Sequence, residues 1–173
     1  MGSEGRIVVS NSGPLIHLAR IYRLNLLKEL FGKVAIPVDV KIEVVDRGKE
    51  EGAADAFLIE NEIRDGWIAI EEIDTSDRVK EIAKSVGIEI GETAAIMLAR
   101  RKNCPILLDD LAARRFATGL GLEVAGSIGV LIRSAKIRKL SKIEALDALE
   151  RLARVMWLSV DVYEDARKTI EGL

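Results

Sequence analysis

Short apolar runs alternate with amphipathic stretches over the first 125 residues of the chain. Runs of β-branched and aliphatic residues, bounded by turn-forming residues, predict strands at 7–9, 34–36, 67–73, 105–108 and 122–125. Between them apolar residues recur with helical spacing, which predicts helices over 15–22, 24–31, 37–43, 50–64, 77–86, 93–102 and 111–120. This alternation is typical of an α/β domain with a mainly parallel sheet and helices on both faces.

The pattern changes after Gly126, where three amphipathic segments predict helices over 127–139, 141–155 and 160–171. No linker, low-complexity stretch or internal repeat divides the chain. We therefore expect a single domain spanning 1–173, with an α/β core over 1–126 and a C-terminal helical part over 127–173. A chain of 173 residues, 49% of them hydrophobic, should bury roughly 70% of the surface that its unfolded form exposes, so no metal is needed to hold it together.

The pattern also predicts the start of the first helix and the buried face of the helix over 50–64. Ser12 is a suitable N-cap and Pro14 suits a first helical turn, which places Asn11 between the first strand and the first helix. In the helix predicted over 50–64, the residues expected to face inward are Ala53, Ala54, Phe57, Leu58 and Ile63.

Composition restricts the chemistry that the chain can perform. His17 is the one histidine and Cys104 the one cysteine, so catalysis is expected to use carboxylates, and carboxylate oxygens favour hard cations such as Mg²⁺ or Mn²⁺. The formal charge of -2 lacks the signature of a strongly basic nucleic-acid-binding chain, although a local basic patch remains compatible with it.

The same composition bears on location and source. A single Cys104 excludes an intramolecular disulfide and suits a reducing compartment. No apolar run is long enough to span a bilayer and the start lacks a signal-peptide core, so we expect a cytoplasmic protein with no membrane contact. The absence of Gln and the many Lys, Glu and Arg residues lean towards a thermophilic source.

Polar residues follow two of the predicted strands at the edge where parallel sheets bind ligands. Ser10-Asn11-Ser12 follows the first strand, and Asp109-Asp110 follows the strand at 105–108. Glu43 and Glu92 lie near the starts of helices and are expected to converge on the same edge. Carboxylates gathered in one cleft repel one another, and a divalent cation offsets that cost. Taken singly, Glu92 or Asp109 is also explained as a residue that favours a helix N-terminus.

Four motifs, taken in order, resemble the PIN domain, and more narrowly a prokaryotic PIN-like family of predicted nucleic-acid-binding proteins. They are the segment 8–18, Ile36-Pro37 leading to Glu43, the helix start at 91–96 and the segment 107–114, with a further similarity at 126–131. The resemblance covers nearly the whole chain. It implies a three-layer α/β/α fold with a central, mainly parallel sheet and additional C-terminal helices.

The resemblance also implies a function, a Mg²⁺- or Mn²⁺-dependent ribonuclease that hydrolyses RNA phosphodiester bonds, often as the toxin of a toxin–antitoxin pair. Carried over by position, the metal ligands would be Asn11, Glu43, Glu92 and Asp110, with Asp109 as an extra ligand. Glu43, Glu92 and Asp110 would be the catalytic acids, whose cations activate water and stabilise charge on the phosphodiester. The residues expected to bind substrate are Ser12, Arg114 and Ser127. The expected partners are single-stranded RNA, a small antitoxin protein and a second copy of the chain.

One position departs from the family pattern, because Asn11 stands where active PIN nucleases carry Asp. An amide oxygen still coordinates a hard cation, but the site loses one negative charge. Alternatively, the Asn11 side chain bonds the following backbone in an Asx-turn. Two functions therefore stay open beside the nuclease. One is a PIN-fold binding module without turnover, and the other is a protein that acts through contacts of its C-terminal helices. The leucines of those helices are, however, also explained as core residues: Leu140, Leu146, Leu149 and Leu152.

Overall fold

The computed structural model describes residues 5–74 and 76–173. Within these residues one sheet of five strands has the order β3-β2-β1-β4-β5, and every neighbouring pair is parallel. The strands are β1 Ile7–Ser10, β2 Lys33–Pro37, β3 Ile68–Glu71, β4 Ile106–Leu107 and β5 Val124–Ala125. The prediction of a mainly parallel sheet is thus confirmed.

Helices cover both faces of this sheet. Before β3 they are α1 Ser12–Arg20, α2 Asn25–Phe31, α3 Val38–Lys41, a π-helical segment Ile42–Arg47, α4 Gly48–Glu50 and α5 Ala54–Arg64. After β3 they are α6 Asp77–Val86, α7 Ile90–Lys102, α8 Leu111–Gly119, α9 Ser127–Lys136, α10 Lys142–Met156 and α11 Val160–Glu171. Within the described ranges, none of these helices is both long and apolar enough to cross a membrane.

Alternating side chains of the central strands divide the core into two layers, because successive residues of a strand point to opposite faces. Val8 and Leu107 pack in a cluster with α1, α2 and α9 to α11. Val9 and Ile106 pack in the other cluster, with α7 and α8. The three-layer α/β/α architecture is therefore confirmed. The leucines of the C-terminal part are core as expected: Leu140, Leu149 and Leu152 are buried, and Leu146 packs against the first cluster.

Several predicted boundaries were wrong. The N-cap of α1 is Asn11, whose backbone is extended, rather than Ser12. The strand predicted at 67–73 is confined to Ile68–Glu71, and the last two strands keep only two residues each. Likewise, α9 ends at Lys136 instead of continuing to 139.

The helix predicted over 50–64 is interrupted, and most of its predicted buried face was wrong. Gly52 has a φ of +71°, a left-handed conformation that favours glycine, and α5 begins only at Ala54. The buried apolar residues of α5 are Ala56 and Ile59, whereas Phe57 is 48% exposed. Its ring instead lies 5.5 Å from Lys49 Nζ, so a cation contact takes the place of core packing.

Candidate active site

A cleft of about 400 Å³ opens at the carboxyl ends of β1 and β4. These strands are neighbours, so the junctions that follow them share one edge of the sheet. The backbone N–H of Asn11 donates to Leu107 O at 3.1 Å, which joins the two junctions. The polar and acidic residues that line the cleft are Asn11, Ser12, His17, Glu43, Glu89, Glu92, Asp109 and Asp110. The structure therefore brings all five predicted metal ligands into one cleft.

Asn11 is 7% exposed and carries an unpartnered polar atom. Its Oδ1 is buried and has no hydrogen-bond partner among the described residues, while its Nδ2 lies 3.5 Å from Glu92 Oε1. The opposite amide orientation would turn Oδ1 towards the carboxylate, which is unfavourable. The side chain makes no cap hydrogen bond to the backbone, so the Asx-turn interpretation of Asn11 was wrong. A buried orphaned acceptor costs roughly 1–3 kcal/mol, a cost that a cation bound to Oδ1 would remove.

Glu43 is held in the cleft by Ser12. The Ser12 hydroxyl donates to Glu43 Oε2 at 2.7 Å, and Glu43 lies in the π-helical segment that follows α3. Segments of π-helix are often found at functional sites. Ser12 therefore binds Glu43, a candidate metal ligand. A contact of Ser12 with the substrate stays a prediction.

Glu92 combines a structural role with an unfavourable electrostatic position. Its Oε2 accepts a hydrogen bond from the Glu89 N–H at 3.1 Å and completes a capping box at the start of α7. Burial raises the pKa of Glu92, and the carboxylates of Asp110, Glu89 and Glu43 raise it further, against the lowering effect of that backbone hydrogen bond. The structure thus shows the capping role of Glu92. It also places three other acids near enough to disfavour the negative charge of its carboxylate.

The two adjacent aspartates have different surroundings. Asp110 is the N-cap of α8, where its Oδ1 accepts from the Ala113 N–H at 2.9 Å, and its side chain is exposed in the cleft. Asp109 accepts from the Ser127 N–H at 2.7 Å and from the Ser127 hydroxyl at 2.6 Å. Asp109 Oδ2 also lies 2.7 Å from His17 Nδ1, a contact that places a proton on that nitrogen. Asp109 is therefore bound by protein donors, whereas one oxygen of Asp110 is available.

The donor set fits a hard divalent cation by its chemistry. Asn11 Oδ1, Glu43, Glu92 and Asp110 offer oxygen ligands of the kind that Mg²⁺ and Mn²⁺ take. The orphaned Asn11 Oδ1 and the raised pKa of Glu92 are both features that a bound cation would relieve. In the described part of the chain, however, no three Asp, Glu, His or Cys side chains converge closely enough to hold an ion as they stand. Mg²⁺ keeps several water ligands and needs only one or two carboxylates, so the set that includes the Asn11 amide still suits it.

A family model for the PIN domain, DUF3368, matches residues 7–172. The chain belongs to the PIN domain family. The resemblance noted in the sequence is thereby confirmed over nearly the full length, and it associates this PIN domain with nuclease-like function and nucleic-acid partners. A search of curated proteins found no match.

Two residues of the PIN domain cleft were missed as site residues by sequence reasoning. Glu89 precedes Glu92 by three positions, the spacing of a capping box, but the usual first residue of that motif is Ser or Thr, so the motif did not point to Glu89. His17 is the second of these residues, and its side chain is 22% exposed. Its partner Asp109 is 92 residues away in the sequence, so no local pattern pointed to the contact.

Arg114 and Ser127 lie behind the cleft rather than among its lining residues. Arg114 Nη1 donates to Leu108 O at 3.2 Å, and Ser127 is fully buried with its hydroxyl bonded to Asp109. Both side chains therefore brace the end of β4 and the start of α9. Their roles in substrate binding stay predictions.

Replacing Gly126 by Ala in this PIN domain is expected to lower the free energy of unfolding by about 1–3 kcal/mol, the usual cost of overpacking. A Cβ at Gly126 would lie 2.8 Å from Asp109 Oδ1 and 3.1 Å from Leu108 O. Urea unfolding measures the change. Gly129→Ala, in the first turn of α9, is the matched control, because the nearest neighbour of its Cβ would be at 3.7 Å. Equal destabilisation of both variants would contradict the assignment.

Replacing Glu92 by Gln is expected to stabilise the metal-free protein at neutral pH by a few tenths to about 1 kcal/mol, since the site is partly screened by solvent. Gln keeps the capping acceptor and removes a charge that burial and neighbouring acids disfavour. Because the native pKa is raised, the folded state takes up the proton at higher pH than the unfolded chain, so the wild type gains stability as pH falls through that window.

The gain from Glu92→Gln should therefore disappear well below pH 4.5, the ordinary pKa of the group. Urea unfolding in EDTA at both pH values measures this, with the exposed Glu81→Gln on α6 as control. A Gln variant that is less stable than wild type at neutral pH would show that the Glu92 charge is favourable in the fold.

Proposed function

We propose that this PIN domain is a Mg²⁺- or Mn²⁺-dependent ribonuclease that hydrolyses phosphodiester bonds of single-stranded RNA. The observation that supports the proposal best is the acid cleft at the carboxyl ends of β1 and β4, which contains every predicted ligand position. A cleft with this many mutually repelling carboxylates is suited to a cation, and a cation is what an anionic substrate such as RNA needs at its reacting phosphate.

In the proposed reaction the residues that would hold the cation are Asn11, Glu43, Glu92 and Asp110. When bound, the cation supplies water activation and stabilises negative charge on the phosphate. The chain itself fixes the ligands: Ser12 holds Glu43, and the backbone N–H groups of Glu89 and Ala113 hold Glu92 and Asp110. Asp109 anchors the start of α9 through Ser127 and orients His17, so it positions the wall of the cleft.

The proposal includes protein partners, a second copy of the chain and a small antitoxin. Exposed apolar side chains on the C-terminal helices support such contacts: Trp157 is 91% exposed, Val160 76% and Ile143 81%. Size-exclusion chromatography with light scattering measures the mass of the assembly, and a monomeric mass would contradict the homodimer. A neighbouring reading frame that encodes no small DNA-binding protein would count against the toxin role.

A second candidate function is a PIN-fold module that binds RNA without cleaving it. One observation favours it: the amide of Asn11 stands in place of the first acid. This module would bind RNA but leave it uncleaved when Mn²⁺ or Mg²⁺ is added, which separates it from the nuclease.

The purified protein is expected to cleave a labelled single-stranded RNA when Mn²⁺ or Mg²⁺ is added and to stop when EDTA removes the ion, because the acids alone cannot neutralise the phosphate. Gel electrophoresis of the products measures the rate. Glu43→Gln, prepared in the same way, identifies any contaminating nuclease. Equal cleavage by wild type and Glu43→Gln would contradict the proposal.

A further inference from the structure

A second groove, of about 680 Å³, adjoins the acid cleft. Glu43 and Glu89 line both, so the two depressions are continuous. One wall of the groove is formed by α3 and the π-helical segment, and the other by α6 and the start of α7. A chain molecule bound in the acid cleft would therefore leave it along this groove.

Among the residues that the structure describes, the cleft is lined by five acids and no Lys or Arg, whereas the groove is lined by three cations and three acids, two of which, Glu43 and Glu89, it shares with the cleft. The side chains that belong to the groove alone include Arg47, Lys80 and Lys84, against a single acid, Asp39. All three cations are exposed, and none forms an ion pair with an acid in the described ranges. They are thus free to bind an external anion.

Helix stability explains only one of these cations directly: Lys84 lies in the last turn of α6, where a positive charge favours the helix dipole. Lys80 and Lys84 are four residues apart on α6, where like charges repel each other. Arg47 faces the same groove from the opposite wall. Cations that line a groove from two sides and, within the described residues, form no ion pair with the acids that share it suit a polyanion that runs between the walls.

The groove also offers apolar surface beside its cations. Ile42 and Ile90 line it and are 38% and 43% exposed, and Ala83 and Ile88 are buried beneath them. A single RNA strand presents phosphates together with unpaired bases, so cations and exposed apolar side chains suit it in combination. The bases of a duplex are stacked inside and would leave these isoleucines without a partner.

We propose that the groove formed by Arg47, Lys80 and Lys84 binds the backbone of a single-stranded RNA segment that extends from the acid cleft. The inference rests on the proposed ribonuclease function for its choice of ligand. The cations take phosphates one after another outside the cleft, and Ile42 and Ile90 contact bases or riboses. The groove thereby supplies affinity, and the acid cleft supplies the cleavage.

The test compares a groove triple variant, Arg47→Ala, Lys80→Ala and Lys84→Ala, with a matched triple, Lys28→Ala, Lys136→Ala and Lys139→Ala. The second set removes the same charge from exposed positions that do not line the groove. Fluorescence anisotropy with a short labelled oligouridylate measures binding in EDTA over a range of KCl concentrations, so that cleavage does not interfere. Circular dichroism melting checks that all three proteins are folded.

The groove triple is expected to lose about tenfold or more in affinity at low salt. The slope of log K against log salt should also fall by about 2, since each lost contact to a single strand is worth about 0.7. The matched triple should keep the wild-type slope. An equal loss in both triples, wild-type binding by the groove triple, or no binding by the wild type would overturn the proposal. Displacement of the RNA by polyglutamate as readily as by unlabelled RNA would also overturn it, in favour of an acidic protein ligand.

The binding measurement is separable from the proposed cleavage. RNA bound through the groove but never cleaved with Mn²⁺ would leave the groove standing and refute the ribonuclease. If the groove triple binds RNA as tightly as the wild type and cleaves it with Mn²⁺, the groove would be refuted and the ribonuclease would stand.

Discussion

Replacing Asp110 by Asn is expected to lower Mn²⁺-dependent RNA cleavage by at least about 100-fold, because even residues that only support metal ligands are worth roughly 10–100-fold. Asp110 is exposed in the cleft and has a carboxylate oxygen that the fold does not use. Asn keeps an oxygen that can accept the Ala113 N–H, so the N-cap of α8 is retained. The rate of RNA cleavage and the midpoint of urea unfolding measure the two effects separately, and we expect the unfolding midpoint to change little.

The neighbouring Asp109 provides the matched comparison for Asp110→Asn. In Asp109→Asn the amide nitrogen replaces an oxygen that accepts from Ser127 and His17, so at least one buried donor loses its partner at a cost of about 1–3 kcal/mol. Asp109→Asn should thus lower stability clearly, while Asp110→Asn should lower activity at nearly constant stability. Equal losses of stability in the two variants would contradict this division of roles. A full cleavage rate in Asp110→Asn would also contradict it.

The layer architecture was predictable from the sequence because each central strand is a continuous apolar run. A strand such as Val8-Val9 needs apolar neighbours on both faces, and only a parallel sheet between two helix layers supplies them. The convergence of Asn11 and Asp110 was predictable for a related reason, since residues that follow neighbouring parallel strands share one edge. Glu43 and Glu92 lie instead in the π-helical segment after α3 and in the first turn of α7.

The features that could not be predicted depend on which of several similar apolar residues is buried, or on contacts between residues far apart in the sequence. Phe57 and Ile59 are both apolar and lie two positions apart, so periodicity alone could not say which of them the core accepts. The contact between His17 and Asp109 joins α1 to the end of β4, and no local spacing encodes it. The expectation that Asp109 is an extra metal ligand stays a prediction, and its three protein donors, which no local spacing encodes, distinguish it from Asp110.

Replacing Asn11 by Asp is expected to raise Mn²⁺-dependent cleavage by about tenfold or more, on the scale of a ligand improved in a metal site. The change restores the carboxylate that active PIN nucleases carry and places a negative charge on the buried position whose Oδ1 lacks a partner. Without metal the new carboxylate would face Glu92, which Asn11 Nδ2 now approaches at 3.5 Å. The variant should therefore be less stable than wild type in EDTA and should gain more stability from Mn²⁺.

Thermal melting with and without Mn²⁺, together with the cleavage rate, distinguishes the two functions left open by Asn11. Asn25→Asp is the control, because Asn25 also donates to a carboxylate, Glu29 at 2.8 Å, but on the exposed surface of α2. A protein that is inactive as wild type and active as Asn11→Asp would be a binding module whose turnover the amide prevents. An Asn11→Asp protein with stronger Mn²⁺ stabilisation but no gain in cleavage would show that the first acid limits metal affinity and not the reaction. No change in either measurement would exclude position 11 from the metal site, because a buried carboxylate beside Glu92 cannot be indifferent to a cation held between them.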